Sequence, residues 1–231
     1  MTPDHSATDA VLTKRRYLNI VTYYESCLAH FGDNHLGVDW ACGRDADTRY
    51  QVMLDVIREP SGQTVSLLDF GCGASHLLDF ISRQGITGID YSGLDLSPAF
   101  IDLSRRKHPD IPYYCVDVLD NLEPLPCFDY VIMNGVFTQK LDLPGEDMLT
   151  YLSALLEKAF GLARRGLAFN VMSAHLGWER PNLFHLPFDQ LAGMLTAKLW
   201  GNFVVRNDYG LPEYTVYLYR ARESVVVRGE G

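Results

Sequence analysis

Apolar positions along the chain change their spacing twice. From Lys14 to Phe31 they recur at helical intervals. Tyr17, Val21, Tyr24, Leu28 and Phe31 step by 4, 3, 4 and 3, which predicts one helix with a single apolar stripe, closed by Gly32-Asp33-Asn34. A second helix is expected from about Ala46 to Arg58, with Tyr50, Met53, Leu54 and Ile57 inward. Glu59-Pro60-Ser61-Gly62-Gln63 breaks it. Residues 1–12 read as a loose tail and residues 33–47 as a loop around Trp40. Residues 1–60 are therefore expected to form a helical extension, or lid, ahead of a main domain over 61–231.

Beyond residue 61 short apolar runs alternate with helical patterns. Strands are expected at Val65–Asp69, Ser92–Asp95, Tyr113–Val116, Phe128–Asn134 and Leu167–Met172. Helices are expected at Ser75–Arg83, Pro98–Lys107 and Glu146–Phe160. Ser75 can cap its helix through its hydroxyl, and Ser97-Pro98 supplies a cap plus a first-turn proline. Near-continuous apolar strands separated by helices imply a parallel sheet covered on both faces. The end of the chain differs. After a helix at Phe188–Leu199, two strands at Asn202–Arg206 and Tyr214–Arg220 lie too close in sequence for a parallel return. The expectation is an α/β, Rossmann-like, doubly wound sheet of seven strands, mostly parallel, with the last strand antiparallel. Tyr214, Tyr217 and Tyr219 are read as packing residues.

Composition narrows the function. The 231 residues are 47% hydrophobic and 21% charged, which suits an ordered globular chain. A net charge of −9 with no extended basic run argues against nucleic acid. No apolar run approaches membrane-spanning length, and the N-terminus lacks the blocks of a signal peptide, so a cytoplasmic location is expected. None of Cys27, Cys42, Cys72, Cys115 and Cys127 forms a Cys-x-x-Cys pair, so buried reduced thiols are expected and a zinc site is not. Asp33, His35 and Asp39 have ligating chemistry but match no metal-loop spacing.

The chemistry lies where the strands end. In a doubly wound sheet, ligands sit beyond the carboxyl ends of the strands. Strand one runs into Asp69-Phe-Gly71-Cys72-Gly73-Ala-Ser75-His76, a glycine turn that lets a ligand approach bare backbone. Strand two ends in Asp95-Leu96-Ser97, strand three is followed by Asp117-Val118, and strand four ends in Asn134-Gly135-Val136-Phe137. Asp95 can accept hydrogen bonds from two ribose hydroxyls and would repel a phosphate there. Asp117 can accept an adenine amine, with Leu96 and Val118 on the base faces. The third glycine of a dinucleotide fingerprint is replaced by His76, and Asp69 would face a pyrophosphate badly but could order an ammonium. These residues favour S-adenosylmethionine over NAD.

Leu67-Leu68-Asp69-Phe70-Gly71-Cys72-Gly73, Gly93-Leu94-Asp95-Leu96-Ser97, Asp117-Val118 and Phe128–Asn134 resemble, in order and spacing, four motifs of the class I S-adenosylmethionine-dependent methyltransferases. That resemblance runs from about 65 to 172 and implies the sheet order 3-2-1-4-5-7-6. Gly37-Val-Asp-Trp40, Arg49-Tyr50, Gly135-Val136-Phe137, Ala168-Phe-Asn170 and Tyr214–Arg220 resemble a branch of short bacterial small-molecule enzymes. In that branch an Asn often stands where this chain has Thr138. The branch is also similar to azetidine-2-carboxylate synthases, which cyclise the cofactor itself. The resemblance implies methyl transfer to an oxygen or nitrogen of a small-molecule acceptor. Cyclisation with release of methylthioadenosine and no acceptor is the alternative, and a non-catalytic cofactor-binding partner protein is a third. Trp40, Tyr23 and Tyr24 are candidates to hold a sulfonium by cation–π attraction, and Arg49 to pair with the cofactor carboxylate. Asn134, Phe137, Asn170 and His175 are the catalytic candidates. Oligomeric state is left open.

Overall fold

The computed structural model describes residues 15–58, 62–199 and 201–220. The expected tail over 1–12, the helix start at Lys14 and most of the breaker at 59–63 lie outside the described residues. The elements in order are α1 (Leu18–Phe31), a 3-10 turn (His35–Val38), α2 (Gly43–Leu54), β1 (Val65–Phe70), α3 (His76–Arg83), β2 (Ile89–Asp95), α4 (Pro98–Lys107) and β3 (Tyr113–Cys115). Then follow β4 (Phe128–Met133), α5 (Gly145–Leu162), β5 (Ala163–Ser173), β6 (His185–Leu186), α6 (Phe188–Lys198), β7 (Phe203–Arg206) and β8 (Glu213–Tyr219).

One sheet runs β3-β2-β1-β4-β5-β8-β7. This is the expected order, with β8 antiparallel to both β5 and β7. An eighth strand, the two-residue β6, pairs parallel to the end of β5 and has no periodic signal in the sequence. Leu67, Leu68, Val131, Ile132, Leu167, Ala168 and Phe169 are fully buried, as a sheet covered on both faces requires. α2, α3 and Ile101 of α4 build the core on one face; α5 and α6 build the core on the other. α2 thus covers the sheet directly.

Local signals account for several ends. Ser97 accepts the Phe100 amide, Pro98 follows in the first turn, and Arg105, Arg106 and Lys107 close α4 at its negative end. Ser75 does not cap α3. It takes a left-handed conformation (φ 59°), and its hydroxyl pairs with Tyr113 across the sheet at 2.8 Å. The stripe on α1 is also uneven. Tyr17 is buried and Val21 and Tyr24 are half-buried over the strand ends, whereas Phe31 is exposed; Ile20, outside the expected stripe, is buried as well. The thiols are free, as expected, but only Cys72 is buried; Cys42, Cys115 and Cys127 are exposed. No helix among the described residues is long and apolar enough to cross a membrane.

Candidate active site

The ends of β1, β2 and β4 converge on one cavity of about 1130 Å³, measured with the part open to solvent. α1, the segment 38–40 and α5 supply its other walls. The floor is the glycine turn. The amides of Gly71 and Cys72 both donate to the Leu94 carbonyl, at 2.7 and 3.0 Å, which folds the turn over the end of β2. Gly71 has φ +79°, and a Cβ there would lie 2.7 Å from Val136 Cγ2. The glycine turn and the turn after β4 therefore touch, and a side chain at 71 would separate them.

Asp95 organises that floor. Its carboxylate accepts the Gly73 amide at 2.9 Å and the Ser97 amide at 2.8 Å, one on each oxygen. Burial raises its pKa, and the amide donors at Ser97, Gly73 and Leu96 oppose the rise. Each oxygen keeps a lone pair for a ligand hydroxyl. Asp69 lies deeper. Burial pushes its carboxyl up to about 7, the Tyr91 hydroxyl donating at 2.7 Å opposes this, and the Asp95 charge adds to it. Asp117 is already engaged: its carboxylate accepts Tyr17 Oη at 2.8 Å, Arg15 at 2.6 Å and the Leu119 amide at 3.1 Å. Tyr17 stacks on Tyr151 with centroids 5.0 Å apart, so the start of α1 is fastened to this side of the cavity.

Most of the residues singled out from sequence line this one space. Asp69, Gly71, Cys72, Gly73, Asp95 and Leu96 do so from the first two strand ends. Asp117, Val118, Asn134, Val136 and Trp40 do so from the later turns and the N-terminal segment, and Tyr24 joins them. Asn134 Oδ1 is buried there with no hydrogen-bond partner among the described residues. Among the described residues no lysine or arginine lines the cavity, whereas Asp69, Asp95 and Asp117 do.

Five candidates lie elsewhere, and one is Tyr23, which is half-buried and packs edge-on against Tyr24 without lining the cavity. Phe137 is fully buried and packs edge-on against Tyr151 and Phe169; it is core. His175 is exposed beyond β5, tilted against Phe188. Asn170 is buried behind the β4 turn, donating to Glu213 and accepting the Gly135 amide. Arg49 is buried and paired to Glu213 at 2.8 Å, with its guanidinium 4.0 Å from the centre of the Trp40 ring. Among the described residues no group of three ligating side chains could hold a metal.

Sequence reasoning missed Tyr91, Glu25 and Glu213. Tyr91 carried a signal: Gly93 pairs with Asp69 across β1 and β2, and a residue two positions earlier shares its face. Glu25 reaches from α1 to the Ser97 hydroxyl at the start of α4. Glu213 had no signal, because it stood in a link between two strands.

Comparison with known proteins bears on the same region. Residues 68–164 match the family model described as a methyltransferase domain. The chain is 24% identical over 161 residues to "Putative methyltransferase Rv1506c" of Mycobacterium tuberculosis, covering 68% of this chain and 93% of that one. Among solved structures, magnesium protoporphyrin IX methyltransferase from Synechocystis PCC 6803 with bound SAH superposes with a TM-score of 0.59 at 15% identity, over 91% of this chain and 99% of that one. The plantazolicin methyltransferase BpumL in complex with SAH superposes with a TM-score of 0.58 at 13% identity, over 93% and 94%. At these identities the structural likeness is a likeness of fold.

Proposed function

We propose that this chain, which belongs to the class I S-adenosylmethionine-dependent methyltransferases, transfers a methyl group from S-adenosylmethionine to an oxygen or nitrogen of an uncharged or cationic small molecule. The observation that carries the proposal is the sign of the cavity. Asp69 is buried and Asp95 half-buried in its floor, and no lysine or arginine among the described residues lines it. A pyrophosphate would meet two carboxylates there, whereas a cofactor with a sulfonium and an ammonium meets partners. The orphaned Asn134 Oδ1 fits the same cofactor, because a buried acceptor without a donor is costly and an ammonium supplies one.

In this assignment Asp95 holds the ribose hydroxyls, and Leu96 and Val118 flank the base. Asp69 and Asn134 face the cationic amino-acid end. Asp117 bears on the adenine edge only through what its bonds to Arg15 and Tyr17 leave free. α1 and the segment through Trp40 act as the lid, with the Glu25–Ser97 and Tyr17–Asp117 contacts as its fastenings. When bound, the cofactor supplies a methyl carbon already activated by positive sulfur. That carbon would pass to an acceptor lone pair, the carbon–sulfur pair staying on sulfur and a proton being lost from the acceptor. The apolar walls formed by Tyr24, Val38, Trp40 and Val136 exclude water and align the acceptor for in-line attack. The lack of a lysine or arginine in the lining, among the described residues, disfavours a carboxylate or phosphate acceptor.

Isothermal titration of the pure protein with S-adenosylmethionine, S-adenosylhomocysteine and NAD tests this. The first two should bind, NAD should not, and Asp95→Ala should abolish the heat. NAD binding tighter than S-adenosylhomocysteine would overturn the assignment. The acceptor class is then reached by mass spectrometry of small-molecule pools incubated with methyl-labelled cofactor.

A further inference from the structure

Five residues form a closed ring of contacts that runs from the cavity wall to the space behind it, and the link between its two arms is Glu213. One Glu213 carboxylate oxygen accepts Arg49 Nε at 2.8 Å; the other accepts Asn170 Nδ2 at 2.8 Å. Arg49 then covers the Trp40 ring. Asn170 Oδ1 accepts the Gly135 amide at 2.7 Å. Gly135 closes the ring, because a Cβ there would lie 2.9 Å from Trp40 Cζ2, so backbone and indole are in direct contact. Trp40 and Gly135 line the cavity; Arg49, Glu213 and Asn170 do not. Both ends of the chain of bonds are thus at the site, and its middle is behind it.

We infer that Glu213 is a positioning residue, which sets the Trp40 wall against the Asn134-Gly135-Val136 turn. The inference rests on the cofactor assignment above. Stability is a poor reason for such a pair. Glu213 is 2% exposed and Arg49 8%, and a buried ion pair is commonly no more stable than apolar residues of the same size. What an apolar pair cannot do is grip two separate partners in fixed directions. Glu213 does so with one oxygen for each wall. Through Asn170 it holds the backbone of a turn with φ +77° at Gly135; through Arg49 it holds the face of an indole. The lid-side wall and the sheet-side wall therefore share one reference point on β8, and α2 and β5 each bring one link to it.

The test uses the full chain and S-adenosylhomocysteine as the probe. Glu213→Gln keeps an acceptor for Asn170 and removes the charge opposite Arg49. Asn170→Ala cuts the Gly135 link and leaves the ion pair. Arg49→Met with Glu213→Gln removes both charges, so no buried charge is left unpaired and the fold is protected. Leu195→Ala, a fully buried residue of α6 outside the cavity, is the control for lost stability alone. Each network variant should raise the dissociation constant about tenfold or more, within the range of coupling for residues in one network. The doubly substituted protein should do so while melting within a few degrees of wild type. Leu195→Ala should melt lower and bind within about twofold of wild type. Network variants that bind within twofold of wild type, or weaken binding no more than Leu195→Ala does, overturn the positioning role. Wild-type protein that fails to bind S-adenosylhomocysteine overturns the cofactor assignment, and this inference with it.

Discussion

Gly71→Ala perturbs the site at its floor, and its cost divides into two parts that can be separated. The first is backbone. Gly71 has φ +79°, in the left-handed region, where a Cβ costs about 1–2 kcal/mol. The second is packing. The new Cβ would sit 2.7 Å from Val136 Cγ2, about 1 Å inside an ordinary carbon–carbon contact. Forcing a methyl into filled space costs about 1–3 kcal/mol. The single variant should therefore lose about 2–5 kcal/mol of unfolding free energy. Val136→Ala alone should lose about 1 kcal/mol, because Val136 is only half-buried. It also removes the methyl that clashes. In the double variant the packing part disappears and the backbone part stays. Chemical denaturation of the four proteins should show the double variant more stable than the sum of the singles by about 1–3 kcal/mol. S-adenosylhomocysteine binding should recover in the same order. Energies that add to within about 0.5 kcal/mol would show that the two turns do not meet as described. A Gly71→Ala protein as stable as wild type would refute both parts.

Asp69 should impose a pH dependence. Its folded pKa, about 7, lies above the unfolded carboxylate value of about 3.9, so the native state binds the extra proton between them. Its contribution is fully present below about pH 4 and is lost as pH rises to about 7. Asp69→Asn should remove that slope from stability measured by denaturation over this window. In the wild type, S-adenosylmethionine should bind more tightly as pH rises through 7, with proton release seen as buffer-dependent heat. Phe137→Ala should cost about 3–5 kcal/mol of stability, and S-adenosylhomocysteine affinity measured well below its melting point should stay near wild type. His175→Ala should change neither affinity nor melting temperature appreciably. Incubation with S-adenosylmethionine alone should yield no methylthioadenosine above the spontaneous rate; a ring product would replace methyl transfer with cyclisation.

Legibility in the sequence followed the distance over which each feature is decided. β1, α4 and β4 were placed to within about a residue, because an apolar run or a Ser-Pro cap acts inside its own segment. β5 was expected from Leu167 and begins at Ala163; Arg164 and Arg165 break the apolar run, although β4 pairs alongside. Asp69 and Asp95 were legible because a strand end and its glycine turn are contiguous in sequence. Arg49 and Asn170 show where this stops. Both belong to segments that carry the resemblance, and they were given to the cofactor carboxylate and to catalysis. Burial does demand a partner for each. The partner is Glu213, which is 164 residues from Arg49 and 43 from Asn170. It becomes available only through the register of β8 on β5, where Met172 stands opposite Glu213 and Asn170 opposite Thr215. Hydrophobic spacing says that a strand lies there and not how far it slides along its neighbour. A buried polar side chain thus announces that something answers it, and the pairing of distant strands decides whether that is protein or ligand. By this criterion Arg49 and Asn170 are answered by the protein, and Asn134 is the one left facing the cavity.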